Sequence, residues 1–565
     1  MREPNRDVLL VNPDSLASEL ATVLAALDKD SVVRRIWGRD WTVWKPLDQE
    51  ISNRLSWLSS PETAEELVPA LESFAASVRD QGLTRAVVLG MGGSSLAPEV
   101  FARLFATAPG ALELEVLDST EPETVAAAGA RYDPEKTLFL VSSKSGTTAE
   151  VLALLAFFYD RARAALGAGH AGSRFVAVTD PGTPLEHLAC QLGFRRVFDG
   201  QPDIGGRFSA LSVFGLAPAG LKGIDLGRLL APARAMAEAC RVERAAANPG
   251  ALLGAILGAA AQKGMDKLTL LMPPRLRPLG SWLEQLVAES TGKEGRGIVP
   301  VVEDRPGPAG AYGTDRLFVG IGPQEELEGR APWPGPKETG SPRVSLALGD
   351  PYELAGHFFL WEFATAVAGH LLGINPFDQP DVESTKKKTR EILAGTCPSP
   401  AVAVSGPAAG GYRVADGGPT VRPDEALARF LEGRRDGDYV AILAFLPRRP
   451  AVEELLSALA AGLRLKTGLP VTVGVGPRYL HSTGQLHKGD GNRGLFLALV
   501  AAGLPEIAIP DVPGVPRPAP DFGSLFRAQA RGDTLALAEK GRRVLTIELA
   551  APIEPGLVAV SSFLE

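Results

Sequence analysis

From about Thr84 the chain alternates two kinds of apolar pattern. Short runs dense in β-branched and aliphatic residues (RAVVLG, LELEVLD, TLFLVSS and RFVAVTD) are separated by longer stretches in which apolar positions recur every three or four residues. The short runs fit strands buried on both faces, and the recurring pattern fits helices packed against them. Such alternation is the signature of a parallel sheet covered by helices on both sides. After Leu221 the rhythm starts again, with KLTLLMP and DRLFVGIG as strands. Residues 1–60 carry a helical pattern, and the tryptophans of IWGRDWTVW are placed to dock it on the α/β body of the chain. Two stretches break the rhythm: QEELEGRAPWPGPKETGSP, a loop, and CPSPAVAVSGPAAGGYRVADGGPTVRPDE, a linker. Beyond them DYVAILAFLP, AVEELLSALAAGLRL and PVTVGVG make one more β-α-β unit. The expectation is therefore an α/β chain with a helical lead-in over 1–60 and αβα units over 61–220 and 221–395. A linker over 396–435 and a carboxy-terminal β-α-β region over 436–565 complete it.

Composition narrows the chemistry. With 565 residues the chain is too long for one compact core. A formal charge of -8 weighs against a nucleic-acid partner, so an anionic small molecule would have to be held by local donors. Cys190, Cys240 and Cys397 are scattered, odd in number and in no metal or redox spacing, as in a reducing compartment. The start, MREPNRDVLLVNPDSL, lacks a signal-peptide pattern, and no stretch is long and apolar enough for a membrane span. A soluble cytoplasmic protein is expected, with no nucleic-acid or membrane partner.

Two strand-to-helix loops attract attention. VVLGMGGSSLAPEVF places Gly90, Gly92, Gly93, Ser94 and Ser95 between a strand and a helix start, where backbone N–H groups can meet an anion. A tight turn explains it equally well; a dinucleotide site with Asp118 on a ribose is a poorer fit, because GxGGSS departs from GxGxxG. LFLVSSKSGTTAEVLALL is more telling. Ser142, Ser143, Lys144, Ser145, Thr147 and Thr148 crowd hydroxyls and one cation at a helix start, as a phosphate monoester requires, whereas a helix cap needs only one hydroxyl. It is not a Walker loop, and TGKEG around Lys293 lacks the upstream glycine of one.

The pair of loops resembles the sugar-isomerase (SIS) fold, in which one sugar phosphate sits at the strand ends. Three further segments are similar to motifs of the glucose-6-phosphate isomerase family: QPDIGGRFSALSVFG, PLGSWLEQLVAESTGKEGRG and INPFDQPDVESTKKK. Each also has a reading of its own. Glu289 falls in the last turn of an apolar-striped helix, where the negative end of the dipole disfavours a carboxylate. Arg207 follows two glycines, and its planar donor set suits a developing enediolate, although a structural ion pair is the alternative. Lys386 opens a lysine run that would otherwise be a solvated face. The resemblance implies that Glu289 shuttles a proton between the first two sugar carbons, that Arg207 stabilises the enediolate, and that Lys386 helps open the ring. It implies binding roles for Gly93, Ser94, Ser143, Lys144, Ser145, Thr147, Thr148 and Gln379.

The family also uses a ring-opening histidine between its glutamate and lysine motifs. Here that interval holds only His357 and His370, each inside an apolar helical run, while LHSTGQ, similar to the family's histidine motif, lies at Leu480–Gln485. His481 takes the implied role, with Glu150 as the residue that orients it; His487 is expected at the edge of the cleft or without a chemical role, and His170 and His187 are expected to be surface or packed residues. This order resembles the isomerase half of bacterial proteins that fuse transaldolase to glucose-6-phosphate isomerase; with the first strand by residue 85, a stand-alone isomerase is expected. The implied activity is reversible isomerisation of glucose 6-phosphate to fructose 6-phosphate, with no metal or organic cofactor. A homodimer is implied too, because the family's histidine is lent by the neighbouring subunit. The alternatives are an isomerase acting on mannose 6-phosphate, a non-catalytic sugar-phosphate sensor, and a nicotinamide-dependent oxidoreductase.

Overall fold

The computed structural model describes residues 9–11, 15–303, 305–327, 340–396, 412–415 and 423–564. Its first ten strands are β1 (Leu9–Val11), β2 (Arg85–Gly90), β3 (Glu113–Leu117), β4 (Thr137–Ser142), β5 (Phe175–Thr179), β6 (Arg196–Asp199), β7 (Lys267–Leu271), β8 (Val299–Val302), β9 (Arg316–Gly322) and β10 (Arg343–Ala347). The last five are β11 (Tyr412–Ala415), β12 (Tyr439–Phe445), β13 (Val471–Val475), β14 (Gly494–Ala501) and β15 (Arg543–Leu549). They build three five-stranded sheets, ordered β3-β2-β4-β5-β6, β1-β10-β9-β7-β8 and β11-β15-β14-β12-β13.

All three are wound alike. In each, the first parallel strand (β2, β7 or β12) sits inside, the second lies to one side, and the later ones continue on the other. The second and third sheets each add an antiparallel edge, β1 on β10 and β11 on β15, supplied by chain upstream of the unit. The eight apolar runs read as strands all contain one. The carboxy-terminal part is more than the expected β-α-β region: β14 and β15 extend it to a complete sheet. β11 and the Pro423–Glu432 helix fall inside the span 396–435 expected as linker, so this unit begins upstream of residue 436. Residues 397–411 and 416–422 of that span, Cys397 among them, lie outside the described residues, as do 328–339 of the expected loop.

The lead-in docks through its tryptophans. Trp37 stacks on Phe359 and donates to the Cys240 carbonyl at 2.7 Å, while Trp44 donates to the Ala366 carbonyl at 2.8 Å. Both partners Phe359 and Ala366 lie on the Leu354–Leu372 helix, buried along all but two of its 19 residues. A helix apolar all round must be a core element. Its neighbour, Pro249–Gln262, presents glycines four residues apart. A Cβ on Gly254 would stand 2.5 Å from the Ala364 carbonyl, and one on Gly258 2.5 Å from Leu371.

The third unit is fused to both others by apolar packing. Its segment Ile509, Val512, Val515 and Phe522 is buried in the first unit's core, and Val299 and Val301 of β8 are buried in the third unit's own. Inside it, the carboxylate of Asp533 receives Lys488 Nζ at 2.6 Å, Tyr479 OH at 2.7 Å and Thr385 Oγ1 at 3.0 Å. Burial pushes that carboxyl up, but Lys488 outweighs burial and holds it below the usual range. His487 lies beside this cluster, ring centroid 5.0 Å from Phe496 and 5.8 Å from Tyr479. It is a core residue, 2% exposed and packed on two aromatic rings, not one at the edge of the cleft. Burial, aided by the Lys488 charge, pushes its imidazole down to about 3.

This packing makes two outcomes measurable. Alanine in place of a helical glycine normally stabilises by about 1 kcal/mol, but the contact at Gly254 makes overpacking dominant. Gly254→Ala should therefore destabilise by about 1–3 kcal/mol in chemical denaturation; a stabilised variant would contradict the close helix approach. His487 stays neutral when folded but takes a proton near its ordinary value when unfolded, so stability falls as pH drops from 6.5 towards 3. Between pH 6.5 and 5 the parent chain should lose about 1.5 kcal/mol relative to His487→Phe, measured by denaturation at each pH. Parallel pH profiles would place the imidazole in contact with water instead.

Candidate active site

The hydroxyl loop joins β4 to the Ala149–Leu166 helix. Thr148 stands at the helix N-cap, yet its side chain accepts no capping hydrogen bond, so the first-turn N–H groups keep their capacity for an anion. The hydroxyls pair among themselves, Ser143 with Thr148 at 3.0 Å and Ser145 with Thr147 at 3.1 Å. Lys144 points elsewhere. Its ammonium bonds Asp180 and the Gln201 carbonyl, the latter at 2.9 Å, so its charge is committed to the end of β5. In the other loop, Gly93 has a structural reason to be glycine: a Cβ there would stand 2.0 Å from the Gly206 carbonyl. Gly92 likewise lies against the backbone of His481, and Ser94 is buried beside them. The glycines bring three loops together, two from the first unit and one from the third.

His481 comes after β13 in the turn Arg478–His481. Its Nε2 lies 2.8 Å from Glu150 Oε1, in the first turn of the helix after the hydroxyl loop. Glu150 is buried, 5% exposed. Burial pushes its carboxyl up, but the His481 charge and hydrogen bond outweigh that and hold it below the usual range. Arg478 anchors the same turn through Glu99 and Asp118, both at 2.6 Å. Asp118 is thus engaged by an arginine, which disposes of its reading as a ribose ligand. Gln485 of LHSTGQ bonds the Gly292 carbonyl and the Asp381 carboxylate, each at 2.9 Å, tying the histidine segment to the ends of the glutamate and lysine motifs.

Glu289 lies in the last turn of the Arg277–Thr291 helix, 8% exposed. Arg207 Nη1 approaches its Oε1 at 3.4 Å, and Gln285 Nε2 donates to its Oε2 at 3.0 Å. The same Gln285 amide donates to the His481 carbonyl at 2.9 Å, so one side chain spans the glutamate and the histidine segments. Arg207 is held by Ser290 Oγ at 2.8 Å, by the Pro376 and Asp378 carbonyls at 2.6 and 2.9 Å, and by Gln379 Oε1 at 3.0 Å. Lys293 clamps Asp378 from the other side at 2.7 Å; burial, with Arg207 nearby, pushes its ammonium down to about 8. Lys386 is half exposed, paired with Glu383 at 2.7 Å. It lines a cavity of about 460 Å³ together with Ser145, Thr147, Thr148, Glu150 and His481.

The structure therefore brings the hydroxyl loop, Glu150, His481 and Lys386 to one cavity; Glu289, Arg207 and Gln379 do not line it but form a second cluster, joined to the His481 backbone through Gln285, and Lys144 is the one predicted cation turned away. Sequence reasoning passes over Gln285 and Lys293. Gln285 is within its reach, four residues before Glu289 and hence on the same helix face. Lys293 shows no local signal beyond its failure to fit a Walker loop. The remaining histidines are structural or peripheral: His357 bonds the Ala347 carbonyl at 2.9 Å, His370 that of Val43 at 2.6 Å, and His187 that of Thr183 at 2.9 Å, while His170 is exposed. No helix among the described residues is long and apolar enough to cross a membrane.

Comparison with known proteins bears on the family. The family model described as phosphoglucose isomerase matches residues 74–304. Glucose-6-phosphate isomerase of Rubrobacter xylanophilus is 32% identical over 391 residues, 58% of this chain and 87% of that protein. That of Thermus thermophilus is 30% identical over 400 residues, covering 61% of this chain and 92% of the relative. Among solved structures, a hypothetical protein from Thermus thermophilus aligns with TM-score 0.57 at 27% identity, over 69% of this chain and all of that one. The glucose-6-phosphate isomerase of Chlamydia trachomatis aligns with TM-score 0.56 at 20% identity, over 67% and 87%, and shares the fold. With identity of this level across most of its relatives' length, the chain belongs to the glucose-6-phosphate isomerase family.

Proposed function

We propose that the chain interconverts glucose 6-phosphate and fructose 6-phosphate, a step shared by glycolysis and gluconeogenesis in the cytoplasm. The substrate's phosphate would rest on the hydroxyls of Ser143, Ser145, Thr147 and Thr148 and the free first-turn N–H groups behind them, with Gly93, Ser94 and Gln379 in the surrounding wall. Lys144 would shape the loop through Asp180 rather than meet the phosphate with its ammonium. His481, its imidazole supported by Glu150, and Lys386 would open the ring by moving the anomeric hydroxyl proton and returning one to the ring oxygen. Glu289 would then take the proton from the second carbon and deliver it to the first. Arg207 would offset the negative charge of the enediolate between those two transfers.

The observation that carries this reading is the Gln285 amide, which holds the Glu289 carboxylate and the His481 backbone in one frame. Ring opening and proton shuttling need two acid–base centres at a fixed separation, whereas a sugar-phosphate sensor needs neither. The homodimer implied by the resemblance rests on a histidine lent across a subunit interface. Here the His481–Glu150 bond runs within one chain, which supports a site completed by the chain's own third unit.

Conversion of glucose 6-phosphate by the purified chain tests the activity, and an inactive chain that still binds the sugar phosphate would contradict it. Glu289→Gln and His481→Ala should each lower kcat at least about 100-fold. Co-expressed in one cell, the two variants should restore nothing, because each site then carries one defect. Recovery to roughly a quarter of parental activity would mean that the histidine crosses a two-fold interface.

A further inference from the structure

Gln529 has no place among the groups above, yet it is bonded to them. It lies on the Phe522–Glu539 helix of the third unit and is 4% exposed. Its Nε2 donates to Glu150 Oε1 at 2.6 Å, the same oxygen that meets His481 Nε2 at 2.8 Å. Its own Oε1 accepts from Thr120 Oγ1 at 2.8 Å. This arrangement fixes the amide's orientation: an ionised carboxylate can only accept, so the NH2 group must face Glu150 and the oxygen must face the hydroxyl. One turn further along the helix, Asp533 holds Tyr479, two residues before His481. A single helix thus fixes the histidine's turn from one side and its carboxylate partner from the other.

We propose that Gln529 is a positioning residue for ring opening: its amide holds the Glu150 carboxylate turned towards His481. The proposal rests on the reading of His481 as the ring-opening group. A carboxylate only 5% exposed, at the wall of a cavity, meets little water and depends on each protein donor it has. A lysine at this position would neutralise Glu150 and weaken its hold on the imidazolium; an amide donates without adding charge. The His481 and Lys386 charges also favour the ionised form of Glu150; with the Gln529 donor gone it takes up a proton at higher pH, and a protonated Glu150 no longer supports a charged His481. The third unit would then supply both the imidazole and the group that aims its partner.

Gln529→Met preserves length and removes the donor; Thr120→Val removes only the group that orients it. Each is made alone and in the Glu289→Gln background, where interconversion of the two anomers of glucose 6-phosphate, followed by NMR, reads ring opening without isomerisation. Gln529→Met should slow enzyme-catalysed anomer exchange about 10- to 100-fold with KM little changed. The acid limb of its kcat/KM profile should move to higher pH. Thr120→Val should shift the limb in the same direction with a smaller loss, and it decides the matter if the methionine variant does not fold. Anomer exchange at the parental rate with an unmoved acid limb in either folded variant overturns the proposal. A Glu289→Gln chain that does not exchange anomers at all, while the parent isomerises, removes the separate ring-opening step and the proposal with it.

Discussion

Everything in this chain's site depends on one buried negative charge. Glu150 sits at the amino-terminal end of the helix behind the hydroxyl loop, buried at the wall of the cavity, and taking an ion out of water costs several kcal/mol unless its lone pairs are met. The helix dipole helps, but the two side-chain donors that meet it, His481 and Gln529, arrive from more than 300 residues downstream. The first unit alone would hold Glu150 without either partner. Docking of the third unit therefore supplies the donors that a buried Glu150 requires, and the Arg478 ion pairs with Glu99 and Asp118 make the docking specific.

From that constraint comes the rest of the geometry. Glycines are found where backbones must cross: Gly93 under Gly206, Gly292 against Leu486, and Gly489 against the Gly292 carbonyl. In each case a methyl group would separate the very segments that carry Arg207, Glu289 and His481. Polar bridges then set the separations that the glycines permit. Gln285 links the glutamate helix to the histidine turn, Gln485 links that turn to the start of the lysine helix, and Arg207 with Lys293 clamps the Pro376–Gln379 loop from two sides. The Glu289 carboxylate, the His481 imidazole and the Arg207 guanidinium are contributed by three different units, and glutamine amides span the gaps because they bridge acceptors without altering charge.

Much of this is legible in the residues, and the exceptions share a cause. SSKSGTT declares itself by hydroxyl density at a strand end, and LHSTGQ by its histidine in a chain with few. Strands buried on both faces, such as TLFLVSS and YVAILAF, stand out as apolar runs. β6 does not, because RVFD is short and half exposed at a sheet edge. The Phe522–Glu539 helix shows only an ordinary apolar stripe, and nothing local marks Gln529 or Asp533 as anything but polar residues within it. Lys144 escapes a local reading in the same way: its partner Asp180 stands just past the next strand, and only the parallel pairing of β4 with β5 brings the two together. What pattern and spacing cannot express is which charge a distant element will neutralise.

The central claim is that one chain assembles the whole isomerising site, with the phosphate on the hydroxyl loop and the third unit closing over the sugar. A crystal structure with a phosphorylated aldonic acid, whose carboxylate resembles the enediolate, tests it most directly. The account predicts the phosphate on Ser145, Thr147 and Thr148, the carboxylate against Arg207 beside Glu289, and the imidazole of His481 from the same chain at the ligand. A ligand whose phosphate lies away from that loop, or an imidazole supplied by a neighbouring molecule, would contradict it.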